Sequence, residues 1–165
     1  MSREIEIVPY AEEWPSLFEK ERAILLQALG SLMARIEHVG STAVPGMPAK
    51  PVIDILVESD VYPPSGLIIS VLAGAGYVHK SGGGPPGSHF FKKGTPRSHH
   101  LHFAEANGEV ARRLIRFRDM LRADSALALE YAELKRELAR RFKDDRDAYA
   151  LSKADFVSRV LKSPL

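Results

Sequence analysis

The sequence predicts an α/β (α+β) protein, in which a mixed β-sheet with helices is followed by a helical C-terminal part from about residue 109. One domain is expected over residues 1–165. Three observations lead there. Val52-Ile53-Asp54-Ile55-Leu56-Val57 is a nearly continuous aliphatic run, which suits a strand buried on both faces. Shorter strand-like segments alternate with helix-like ones as far as Ala104. From Glu109 onward, apolar residues recur every three or four positions and strand signals cease.

In chain order, Ile5 to Val8 alternates in polarity, and Pro9 and Pro15 punctuate the entry to a first helix. Trp14, Phe18, Leu25, Leu29 and Leu32 carry that helix's apolar face to about Met33. Ile36 and Val39 mark a short strand ending at Gly40. The turn-rich stretch from Gly40 to Pro51 leads into the aliphatic run. Ser65 is placed to cap a helix over 67–75, with Gly76 as its stop. Tyr77 to His79 reads as a strand, and Ser81 to Gly87, with three consecutive glycines and two prolines, as an exposed loop. His89–Lys93 and His99–Ala104 flank Gly94-Thr95-Pro96 as a hairpin. Three apolar stripes follow: Val110, Leu114, Phe117 and Leu121; then Leu127, Tyr131, Leu134, Leu138 and Phe142; then Tyr149, Phe156 and Val160.

With 23 basic and 21 acidic residues the chain is nearly neutral, which makes nucleic acid an unlikely main partner. The absence of cysteine excludes disulfides, thiolate metal sites and cysteine nucleophiles. The charged N-terminus lacks an apolar signal core, and no apolar run approaches the ~20 residues that span a bilayer, so a cytoplasmic location is expected.

Chemistry concentrates between His38 and Asp54. A strand that ends in Gly40-Ser41-Thr42 lets backbone approach a phosphate closely, and the two hydroxyls are donors to its oxygens. If the following residues turn into a helix, its N-terminus adds a favourable dipole. Lys50 supplies neutralising charge, and Asp54, projecting from a buried strand, is a carboxylate ligand for Mg²⁺. The plainer alternative is a common Gly-Ser-Thr turn and an aspartate held by neighbouring amides.

The stretch HVGSTAVPGMPAKPVIDILV resembles the signature of the GrpB family. The likeness continues through His100-Leu101-His102-Phe103, Phe117-Arg118-Asp119, Tyr131 with Leu134-Lys135, and Tyr149 with Lys153 and Phe156. The family is similar in fold to the nucleotidyltransferase superfamily. That resemblance implies a phosphate-binding Gly-Ser pair, here Gly40-Ser41, and a catalytic acid, here Asp54, as the first of two carboxylates two residues apart, with a third from a later strand. In the superfamily such carboxylates hold two metal ions for in-line transfer. Here Leu56 occupies the second position, and Glu58, a further two residues along, lies roughly 6–7 Å beyond it.

His100 and His102 share one strand face while His99, Leu101 and Phe103 take the other. His100 and His102 are therefore read as replacing the third carboxylate, giving a metal set of Asp54, His100 and His102 for Mg²⁺, Mn²⁺ or Zn²⁺. The alternative is that they hydrogen-bond within the fold. Lys92, Lys93 and Arg97 form a basic hairpin tip, read either as a solvated face or as a phosphate clamp beside the glycine loop, and Arg118 and Lys153 as cations within reach of the cleft. The expected partner is a nucleotide or other phosphorylated small molecule, bound by Gly40, Ser41, Thr42 and Lys50. Three readings stay open: a nucleotidyltransferase-like transferase, a non-catalytic nucleotide- or protein-binding module, and a metal-dependent hydrolase.

Overall fold

The computed structural model describes residues 4–81, 84 and 87–163; of the glycine-rich loop read from the sequence, residues 82, 83, 85 and 86 lie outside the described residues. Its strands are β1 (Arg35–Val39), β2 (Ile53–Ser59), β3 (Tyr77–Lys80), β4 (His89–Lys93) and β5 (His99–Glu105). Its α-helices are α1 (Trp14–Leu29), α2 (Gly66–Gly74), α3 (Glu109–Ala123), α4 (Ser125–Arg141) and α5 (Arg146–Lys162). The strands form one mixed sheet in the order β1-β2-β5-β4-β3, and β2 and β5 are its parallel pair.

Alternation along β2 decides which helices pack where. Ile53, Ile55 and Val57 join Leu101, Phe103, Phe91 and Tyr77 on one face, under Trp14, Phe18 and Leu25 of α1 and Ile68 and Leu72 of α2. The opposite face carries Leu56, with Val39 and Ala104 beside it, and there α3 packs Ala111, Val110, Leu114 and Ile115. Buried on both faces, β2 needs the nearly continuous aliphatic run that its sequence supplies.

Element ends follow local chemistry. α1 ends at Leu29, four residues before the expected Met33, because Gly30 adopts φ +53° and the chain continues as a 3₁₀ turn to Leu32. Ser65 caps α2 by accepting a hydrogen bond from the Ile68 amide. β2 runs two residues past its apolar stretch, since Glu58 is buried against Arg35 and accepts from the Asn107 amide at 2.9 Å. The helical part is divided by two aspartate caps, Asp124 before α4 and Asp145 before α5. Its second core joins Met120, Leu121, Tyr131, Phe156 and Val160 to Val44 and Met47 of the β1–β2 connection, so the helices close over that connection. Among the described residues, no helix is long and apolar enough to cross a membrane.

Candidate functional site

The parallel register of β2 and β5 places Asp54 opposite His100 and Leu56 opposite His102. Because all four point to the face not covered by α1 and α2, two imidazoles converge on one carboxylate. Asp54 Oδ1 lies 3.4 Å from His100 Nδ1 and 3.6 Å from His102 Nε2. Phe90 of β4 packs against both rings, at 5.0 and 5.3 Å between centroids. Burial pushes the Asp54 carboxyl up, but the two imidazoles outweigh it and hold the group well below the usual carboxylate range. His99 points to the other face, 3.7 Å from Glu21, as alternation requires.

Gly40 sits against this acid. It adopts φ +73°, and a Cβ there would meet Asp54 Oδ2 at 2.5 Å. The glycine therefore makes room for the Asp54 side chain. Ser41–Ala43 form only a three-residue 3₁₀ turn, so the helix dipole expected behind the phosphate loop is not provided. Thr42, expected to hold phosphate, is buried with its hydroxyl 2.9 Å from His38 Nε2. His38 stacks on Phe18, and burial lowers its pKa to about 4, Asp54 opposing and Arg122 and Arg118 assisting. Ser41 is half-buried and near enough to Tyr131 to influence its phenol.

Cations roof the Asp54 face. Lys50 follows the Gly40 turn, Lys135 comes from α4 and Lys153 from α5. Lys50 Nζ and Lys153 Nζ both lie over the Tyr149 ring, 5.1 and 4.3 Å from its centroid. Lys135, 2% exposed, donates to the Pro48 carbonyl at 2.6 Å and lies 5.0 Å from the Tyr131 centroid. Burial first, then Lys153 and Lys50, lower the Lys135 pKa to about 7, with Asp54 pulling the other way. Lys153 is lowered to about 8 by burial and by Lys50, again against Asp54. Lys50 is lowered by burial, with Arg146 and Arg97 assisting. One carboxylate thus faces three crowded lysines, an arrangement suited to receiving an anion.

Lys135 was not singled out as a site residue from the sequence, although a signal exists. It falls on the apolar stripe of α4, four residues after Tyr131 and three before Leu138, where a charge must be buried. Lys153 lies over the Tyr149 ring beside Lys50, with Asp54 as an electrostatic neighbour. Arg118 is instead buried against Glu37, Asp119 and the His38 carbonyl. The basic hairpin divides, since Lys93 turns to Glu21 at 2.7 Å on the far face while Lys92 Nζ lies over the Phe90 ring, 5.8 Å from its centroid, with Arg97 as an electrostatic neighbour.

The metal set read from the sequence comes together as side chains, with His100 and His102 both beside Asp54. Among the described residues, no group of three or more His, Cys, Asp or Glu is arranged to hold a metal ion. Both imidazoles address the same oxygen of Asp54, and their outer nitrogens, His100 Nε2 and His102 Nδ1, are buried without a hydrogen-bond partner. Leu56, fully buried with Val39 and Ala104, stands where a second carboxylate would be needed, and Glu58 is committed to Arg35 and Asn107. These residues do not fit a two-metal centre.

The family model for GrpB protein matches residues 4–163. The chain belongs to the GrpB family. The crystal structure of the conserved protein GrpB from Enterococcus faecalis is 32% identical and superposes with a TM-score of 0.85, covering 95% of each chain. The glutamate-rich protein GrpB of Alkalihalophilus pseudofirmus is 35% identical across 96% of this chain and 94% of its own length. The Bacillus subtilis protein YqkA is also 35% identical, but this chain spans 46% of its length. The segment of this GrpB-family chain from Gly40 to Asp54 contributes the turn, the first lysine and the acid of the cleft.

Proposed function

We propose that this GrpB-family protein binds a phosphorylated small molecule, a nucleotide being the first candidate, in the cleft between the Asp54 face of the sheet and helices α4 and α5. The observation that carries this reading is the gathering of Lys50, Lys135 and Lys153 around one acid. Each lysine is held with its charge disfavoured by burial and by its neighbours, and an arriving phosphate relieves that repulsion. Ser41 and the Gly40 turn line the same cleft as further phosphate contacts. Leu56 favours a binding module over a transferase, because in-line transfer through two metal ions requires a second carboxylate that the buried apolar patch excludes.

Titration calorimetry with ATP and CTP, each alone and with Mg²⁺, Mn²⁺ or Zn²⁺, tests the reading. Nucleotide binding that persists without metal and weakens at least about tenfold in a Lys50→Met, Lys153→Met double variant supports it. Absence of binding in every combination overturns it. Binding that depends wholly on a metal ion and is lost in Asp54→Ala restores the Asp/His metal site and the transferase or hydrolase readings.

A further inference from the structure

Glu109, Arg112, Arg113 and Arg116 stand at i, i+3, i+4 and i+7 and share one face of α3, distinct from the Val110, Ala111 and Leu114 face that packs on the sheet. That face meets the last turns of α5, and a cavity of about 340 Å³ lies between the two helices. This is the low end of the size range of small-molecule sites. From α5 the cavity takes Ser158, Leu161 and Lys162, so the second wall adds a fourth cation and no acid. Four cations against one acid leave a surplus of three positive charges around one hollow. None of the residues of the Asp54 cleft lines it.

Partners within the fold answer little of this charge. Glu109 reaches Arg113 at 4.0 Å with both side chains exposed, a pairing that contributes little in water. Among the described residues, neither Arg112 nor Lys162 forms an ion pair with an acid. Arg116 is held in place, since its Nη2 donates to the Ser163 carbonyl at 2.7 Å just past the end of α5. Its Nε is nevertheless buried without a hydrogen-bond partner among the described residues. A buried charged donor left unmet is costly, and a bound ion or water is the ordinary remedy. A hollow of this size, a charge surplus and an orphaned guanidinium donor all point to an anion.

We infer that the cavity between α3 and α5 is a second binding site, for a compact oxyanion of about three negative charges held by Arg112, Arg113, Arg116 and Lys162. Diphosphate and tricarboxylate groups both have that charge and that kind of oxygen. Guanidinium forks offer paired N–H donors to either, Lys162 adds a point charge, and the half-buried Ser158 hydroxyl is a neutral donor. Glu109 is the one group on the lining that repels such a ligand. The inference does not depend on the function proposed for the Asp54 cleft.

The test is titration calorimetry at fixed ionic strength with pyrophosphate, citrate and inorganic phosphate, on wild type and on the Lys50→Met, Lys153→Met protein, whose Asp54 cleft is disabled as an anion site. In both proteins pyrophosphate or citrate should bind at least about tenfold more tightly than phosphate, and the tighter of the two names the oxyanion chemistry. Adding Arg112→Gln and Lys162→Gln should weaken that binding at least about tenfold, and Glu109→Gln should tighten it about threefold. All three side chains are exposed, and circular dichroism checks the fold of each variant. Trivalent anions that bind no tighter than phosphate overturn the inference in favour of diffuse surface charge. Binding that Arg112→Gln and Lys162→Gln leave unchanged overturns it by placing the anion elsewhere. Binding present in wild type but lost in the Lys50→Met, Lys153→Met protein overturns it and assigns the anion to the cleft. ATP binding at the cleft should not respond to Arg112→Gln or Lys162→Gln, so the two readings stand or fall separately.

Discussion

Replacing Lys135 by methionine should stabilise the protein at pH 6 and destabilise it at pH 10.5. The wild-type amine falls from 10.5 to about 7 in the fold, because burial and the neighbouring Lys153 and Lys50 disfavour its charge. At about 1.4 kcal/mol per tenfold, the charged form is penalised by roughly 5 kcal/mol. The unfolded chain binds the proton more tightly than the fold between pH 7 and 10.5, so stability rises with pH across that window. The penalty is complete below pH 7 and gone above 10.5. Against it stands the hydrogen bond from Lys135 Nζ to the Pro48 carbonyl, worth about 1.5–3 kcal/mol while charged and about 1 kcal/mol when neutral. Methionine fills a similar volume without a charge. Lys135→Met is thus expected to gain roughly 2–3 kcal/mol at pH 6, a rise in Tm of about 4–10 °C for a chain of this size, and to lose about 1 kcal/mol at pH 10.5. Urea unfolding at a series of pH values reads the crossover directly. A variant less stable than wild type at every pH from 6 to 10.5 would refute the claim that the cleft stores charge repulsion. The same variant should bind ATP at least about tenfold more weakly, which would separate a residue kept for binding from one kept for the fold.

Gly40→Ala places a Cβ 2.5 Å from Asp54 Oδ2 at φ +73° and should cost more than about 2 kcal/mol in urea unfolding. Gly46→Ala, with a similar φ of +79° but open space around it, should cost only about 1 kcal/mol, and equal losses would show that the Asp54 contact is unimportant. Leu56→Asp, which restores the missing carboxylate in sequence, should destabilise by about 3 kcal/mol or more by burying a charge among Val39, Ala104 and Ala111; wild-type stability would contradict the packing described. Asp54→Asn, assayed at pH 6 where the lysines are charged, should tighten metal-free ATP binding several-fold by removing the one acid from the floor. Weaker binding would mean that Asp54 contacts the ligand or a metal.

Much of the fold can be read locally, and the site cannot. The aliphatic run of β2, the Ser65 cap and the hairpin over 89–93 and 99–104 follow from patterns within a few residues of each other, and each stands where the sequence places it, with β5 running one residue further to Glu105. The pairing of Asp54 with His100 and His102 was legible through alternation, because all three share a sheet face once β2 and β5 are neighbours. The burial of Lys135 is legible from its place on the apolar stripe of α4, but its partners are not, since they depend on the closure of α4 over the connection from Gly40 to Lys50, a tertiary event without local signature. Thr42 has a partner that the sequence does not name. Its hydroxyl is claimed by His38, four residues back, a partner that β1 and the 3₁₀ turn bring together but that no spacing rule names. Glu21 of α1, which no sequence pattern singles out, is buried with Tyr77 and Lys93 on the face away from Asp54.

The acid of the cleft belongs to the sheet, whereas two of its three inner lysines belong to the last two helices. Floor and roof are therefore separable inheritances. On the proposed reading, a change of sequence confined to the turns of α4 and α5 that carry Lys135 and Lys153 would reset the charge offered to a ligand without touching β2, β5 or the Gly40 turn. On that reading, Asp54 alone therefore says less about which ligand is accepted than the side chains at positions 135 and 153.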